Sequence, residues 1–328
     1  MRNPSFGGRM GREREGGTNN FADMSIPKGT RPESAFSARL LQNLEGHQGA
    51  VYDLCADGAG GLLSAGGDGW IARWNREGDR WATHGQAVAR LNAPIFSLVQ
   101  HADGPLRAGT GEGDVIDIQN DGQWSGRAVH QGATCVVTEQ GSGGADGRWV
   151  PADADRSEFV FPGRVRCVLH GGAEAWVGTS EGRIHSFEGG WKVEAHEGAV
   201  RGLMEWPGKQ ALASVGGDGR MKIWKRTAEA GLEMVLSVDA HKGSAYRIAA
   251  SPDGQWVATC SRDRSVALWN ARDLSLVVRL ARPAWEGHIR SVNALCWLDQ
   301  DHLASAGDDG RILIWELQQE GEASGDYI

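Results

Sequence analysis

Apolar residues along this chain fall into short alternating runs separated by glycine-bearing turns. Between Ala195 and Lys225, three such runs (VRGLM, LASVGG and RMKIW), the last preceded by a tight Asp218-Gly219 turn, predict three antiparallel strands. The polar residues hold fixed places among them: His196 ahead of the first run, Ser214 in the second, Asp218 in the turn and Trp224 closing the third. A turn carboxylate accepts hydrogen bonds from an imidazole and from backbone N–H groups, while a serine hydroxyl bridges that imidazole to an indole N–H. Seen once, the set would be a solvated loop with an unrelated histidine and aspartate.

The set recurs. His47, Ser64, Asp68 and Trp74 repeat it, as do His241, Thr259, Asp263 and Trp269, and then His288, Ser305, Asp309 and Trp315; the hydroxyl is always four residues before the aspartate and the tryptophan six after it. A GH or AH pair, a hydrophobic strand, a hydroxyl four before a turn aspartate and a closing tryptophan resemble the WD40 repeat, in which each copy is one four-stranded propeller blade. The resemblance spans residues 39–316 and implies an all-β, seven-bladed WD40-type β-propeller. Its innermost strands align as Val51–Cys55, Ile95–Val99, Thr134–Thr138, Val165–Leu169, Val200–Met204, Ala245–Ala249 and Val292–Cys296. Blades two to four are degenerate. Blade two has Ala108, Glu112 and Ile118 at the three later positions and no matching histidine; blade three keeps His130, Ser142 and Asp146 but reaches Ala152; blade four keeps Glu181 and Phe187 without the histidine. In the family an N-terminal strand supplies the outer strand that the last blade lacks, so Arg39–Leu44 is expected to close the ring and remove its open edges.

Residues 1–38 lack periodicity and carry six basic residues against four acidic, which suits a flexible arm or a segment that orders along a partner. Residues 317–328 form an acidic tail whose default role is solvation. The formal charge of −8 argues against a general nucleic-acid binder, whose phosphate contacts need a clustered basic surface. Five cysteines without CxxC spacing read as small core residues. No apolar leader opens the sequence and no run of eighteen apolar residues occurs, so the expected location is cytoplasmic.

The His–Ser–Asp sets superficially match a hydrolase triad, but a triad is one constellation per active site with an exposed nucleophile. Here the trio recurs blade after blade with a tryptophan to occupy the hydroxyl. No GxSxG elbow, P-loop or metal-ligand spacing is present, so no catalytic residue, metal or cofactor is expected. What remains is recognition. The resemblance implies that ligand peptides dock on the top face, using the residues flanking the first apolar residue of each inner strand and the residue before the turn acid. Those positions hold three aromatics, Tyr52, Phe96 and Tyr246, and four arginines, Arg164, Arg166, Arg201 and Arg262, with Asn293 and a single acid, Asp308. Aromatics and arginine are the usual interface anchors. The expected protein is a non-catalytic scaffold or adaptor subunit whose partner offers acidic and apolar side chains, the propeller itself being monomeric within a hetero-complex. A nucleic-acid-associated subunit and a propeller enzyme with channel chemistry are the alternatives.

Overall fold

The structure, a computed structural model, describes residues 36–319 apart from 79, 103, 155–158, 172–173, 188–189, 209 and 228–230. The arm expected over residues 1–38 lies outside these up to residue 35, and the acidic tail from residue 320.

The short alternating runs become strands because each can bury a face only against another sheet. Among the described residues, thirty strands form seven four-stranded antiparallel sheets and one small hairpin, Arg76–Glu77 with Arg80–Trp81. The inner strands are Val51–Ala56, Ile95–Gln100, Thr134–Thr138, Val165–Gly171, Val200–Glu205, Ala245–Ala250 and Val292–Trp297. Each starts on the residue expected from the sequence. The second strands, such as Leu62–Gly66 and Ala211–Gly216, are buried along their whole length because a sheet lies on both sides. Outer strands such as Trp124–Ala128 face solvent. The core therefore lies between blades: Val51, Leu62 and Trp74 pack against Leu44, Ala304, Ile312 and Ile314 from the last blade.

The ring closes through Phe36–Leu44, which pairs antiparallel with Ile312–Gln319. This strand begins three residues before the expected Arg39, and its partner runs three residues beyond Glu316, so residues 36–38 and 317–319 belong to the sheet rather than to arm and tail. The extension buries Ala38 and Leu317. Gln42 ties the closing strand to the hairpin by two hydrogen bonds with the Trp81 backbone, at 2.9 and 3.1 Å.

In four blades, histidine Nδ1 lies 2.8–3.2 Å from the turn aspartate and Nε2 lies 2.7–3.0 Å from the hydroxyl, which accepts the indole N–H at 2.8–3.0 Å. The neutral imidazole fits this chain, donating from Nδ1 and accepting at Nε2. Each aspartate also accepts backbone N–H groups of the loop and turn, as Asp68 does from Gln48 at 2.8 Å. The turn places the residue after the acid in the left-handed region: Gly219 sits at φ +75°, where a Cβ would lie 2.5 Å from the His241 carbonyl of the next blade, and blade six holds Arg264 there at φ +73°.

The weak blades use other devices. Blade three keeps His130 on Asp146 and Ser142 without the indole. Blade two buries Arg107 against Asp117 at 2.7 Å. Where blades three and four lack a tryptophan at the closing position, Trp149, Phe159, Phe161 and Phe187 pack edge to face and stacked, with ring centroids 5.0–6.5 Å apart.

Ser214→Ala would leave the indole N–H of Trp224 and Nε2 of His196 buried without partners. A loss of about 2 kcal/mol is expected from the urea midpoint, whereas Ser214→Thr should stay within about 1 kcal/mol of wild type, since Thr259 fills the same place in blade six. Burial pushes His130, His196 and His241 below the ordinary imidazole value, against the opposing pull of their aspartates. Burial alone would raise Asp68, Asp218, Asp263 and Asp309, but the imidazole and turn N–H groups that donate to them outweigh it and hold all four low. Both kinds of group thus bind protons more weakly when folded, so acid favours unfolding. Stability should fall as the pH drops below roughly 6.5, where unfolded histidines protonate, and again below roughly 4, where unfolded carboxylates do. Urea midpoints across this range check it; a midpoint that rises between about pH 7.5 and 5.5 would contradict the neutral assignment.

Candidate functional site

Every inner strand carries the same irregularity. The ladder skips one residue between Val51 and Asp53, between Ile95 and Ser97, between Thr134 and Val136, and likewise in the other four blades. The skipped residues are Tyr52, Phe96, Cys135, Arg166, Arg201, Tyr246 and Asn293. A β-bulge of this kind leaves its residue outside the pairing and re-aims the side chain. All seven line one cavity of about 360 Å³, joined by Ala133, Arg164, Arg247 and Asp308.

The inner ring beneath them is stitched across blades. Asp53 accepts the Leu98 N–H at 2.8 Å, Ser97 accepts the Val137 N–H at 3.1 Å, and the Asn293 amide donates to the Val51 carbonyl at 3.1 Å. The cavity walls are thereby held by backbone.

Aromatic and cationic groups divide the wall. Tyr52 and Phe96 pack with centroids 5.1 Å apart, and the Arg201 guanidinium lies 4.7 Å over the Tyr246 ring. Asp308 accepts from Asn293 at 2.8 Å. Burial, then the nearby charge of Asp308, raises the Tyr52 hydroxyl. Burial, then the like charge of Arg166, lowers the Arg201 guanidinium. Burial raises the Cys135 thiol, with Arg166 and Arg164 pulling the other way.

Of the residues expected on this face, Tyr52, Phe96, Arg164, Arg166, Arg201, Tyr246, Asn293 and Asp308 come together around the cavity, and Arg262 does not. It is exposed and lines a separate hollow with Lys242 and Ser244 between blades five and six. The sequence reading missed Arg247, which reaches Asp53 at 3.3 Å. A signal was present: the third residue of each inner strand is Asp53, Ser97, Val136, Cys167, Gly202, Arg247 or Ala294, so two opposite charges stand among five small or apolar residues. Burial lowers Arg247, but Asp53 and its hydrogen bond outweigh that and raise it. Among the described residues, no three His, Cys, Asp or Glu side chains gather closely enough to hold a metal ion, and no helix is long and apolar enough to cross a membrane.

The family model for the WD domain, G-beta repeat, matches residues 38–75, 232–270 and 281–316, each stretch holding one complete His–hydroxyl–Asp–Trp set. The chain is a WD40-repeat β-propeller. The solved WD40 β-propeller domain of Doa1 superposes with a TM-score of 0.74 at 18% identity, covering 86% of this chain and 97% of that one, a likeness of fold. Among curated WD-repeat relatives, Protein HIR1 of Cryptococcus neoformans is 24% identical over 220 residues, 62% of this chain and 24% of that protein. The Ribosome biogenesis protein WDR12 homolog of Chlamydomonas reinhardtii is 30% identical over 152 residues, 44% of this chain and 32% of that protein. Human WD repeat-containing protein 55 is 28% identical over 126 residues, 38% of this chain and 32% of its own length. The chain thus matches a quarter to a third of the length of these relatives.

Replacing Asp53 with alanine would remove the counter-ion of Arg247 and the acceptor of the Leu98 N–H together. A destabilisation of about 3 kcal/mol is expected in urea unfolding, with Arg247→Met milder because Asp53 keeps its two backbone donors.

Proposed function

We propose that this propeller is a non-catalytic scaffold that captures a peptide segment of a protein partner in the central cavity of its top face, as one subunit of an intracellular assembly. The observation that supports this most is the convergence of all seven bulge residues on one cavity, where three aromatics offer rigid apolar area and the arginines offer paired donors. A peptide with acidic and apolar side chains complements that wall. The ring is closed and cross-linked before the partner arrives, so binding does not have to order the platform. Nucleophile, base and metal ligands have no place in this reading, because the histidines and hydroxyls of the four complete sets are engaged in tying loop, turn and strands together within each blade.

A second reading, a subunit of a nucleic-acid-associated assembly, is favoured by one observation: a relative at 30% identity is named as a ribosome biogenesis protein. Both readings keep the peptide on the same face.

Affinity capture from native lysate with mass spectrometry, using wild type beside an Arg166→Glu/Arg201→Glu variant, tests the face. The double variant should lose the partner proteins that wild type retains; unchanged recovery would refute it. Repeating the capture after RNase treatment separates the two readings, since a protein held through RNA leaves and one held by the cavity stays.

A further inference from the structure

The cavity is unbalanced in charge, and the imbalance specifies its ligand further. Four guanidinium groups line it, those of Arg164, Arg166, Arg201 and Arg247. Two carboxylates answer them: Asp308 on the wall, already bonded to Asn293, and Asp53, paired with Arg247. The net excess is two positive charges, and the guanidiniums without a carboxylate partner among the described residues, Arg164, Arg166 and Arg201, stand on the side formed by blades four and five. Arg166 and Arg201 there are half-buried, and the Nε of each is buried with no hydrogen-bond partner among the described residues. A buried donor left without a partner costs free energy that an arriving acceptor recovers. Burial, then the like charge of Arg166, already weakens proton binding by Arg201, and an anion between the two guanidiniums offsets that repulsion.

The size of the deficit separates the possible anions. A carboxylate brings one charge and two oxygens and leaves one guanidinium unmatched. A nucleic-acid phosphodiester also brings one charge. A phosphate monoester carries about −1.5 to −2 at pH 7 and presents three acceptor oxygens. It matches the two spare charges and offers an oxygen to each of Arg164, Arg166 and Arg201. Opposite, the Tyr52–Phe96 pair gives an apolar surface for a neighbouring side chain.

We infer that the cavity reads a phosphorylated serine or threonine in the partner peptide, with the phosphate between Arg164, Arg166 and Arg201 and an adjacent apolar side chain on Tyr52 and Phe96. This rests on the reading of the top face as a peptide site and narrows its ligand.

The test is selection of the purified chain against a degenerate peptide library fixed on a central phosphoserine or phosphothreonine, beside the same libraries with unmodified residues and with glutamate. The phosphorylated library should bind at least tenfold more tightly than the unmodified one, with glutamate between them and an apolar preference next to the phosphate. Inorganic phosphate should compete with it. Arg166→Gln/Arg201→Gln should abolish the preference while leaving the thermal melt unchanged, because bulge residues lie outside the ladder; if that pair lowers the melt, Arg164→Gln, an exposed residue, should still weaken it severalfold. Equal binding of phosphorylated and unmodified libraries overturns the phosphate inference and leaves the peptide site standing. Absence of binding to every library, or equal retention by the double variant, overturns both.

Discussion

Pairing of the strand at Phe36–Leu44 with the one at Ile312–Gln319 is the constraint on which the rest of the molecule depends. Each sheet buries its faces only against its two neighbours, so an opened ring would expose two apolar faces at once, including Trp74 and Leu62 on one side. The closing strand comes from the far end of the chain, and no local contact rewards its arrival. Its register is fixed by long-range groups: Gln42 on the Trp81 backbone and Arg39 on Glu316 at 2.7 Å. Loop-closure entropy makes such a contact late and costly, and the uninterrupted apolar packing around the circle offsets it.

The hydrogen-bond chains act at a different level. Each links a loop, a turn and two strands of one blade, and in blade five the turn glycine, Gly219, also presses against the His241 carbonyl of the next. Blades two to four show that the link is replaceable. An Arg107–Asp117 pair serves in one, and an aromatic cluster around Phe187 serves between two others. What those blades retain is the acid-glycine turn, because backbone conformation there has fewer substitutes than side-chain chemistry.

This difference explains what could be read from the chain. The starts of the inner strands were legible to the residue, since alternation and turn residues are local signals. The four His–hydroxyl–Asp–Trp sets were legible as spacing. The replacements in blades two to four were not, because Trp149, Phe159 and Phe187 carry no repeating signature and meet only after the sheets pack. The cavity was legible position by position through the family's pattern, except that Arg262 lines a neighbouring hollow with Gly217, Lys242 and Ser244. Arg247 escaped because its partner, Asp53, is nearly two hundred residues away.

The bulge in every inner strand has a consequence for change over time. A residue that no ladder bond requires is free to differ from blade to blade, and across the seven it does: tyrosine twice, arginine twice, phenylalanine, cysteine and asparagine. Architecture and vocabulary are therefore written at different addresses, so a descendant of this protein could acquire a new partner by rewriting seven letters while inheriting the wheel unaltered.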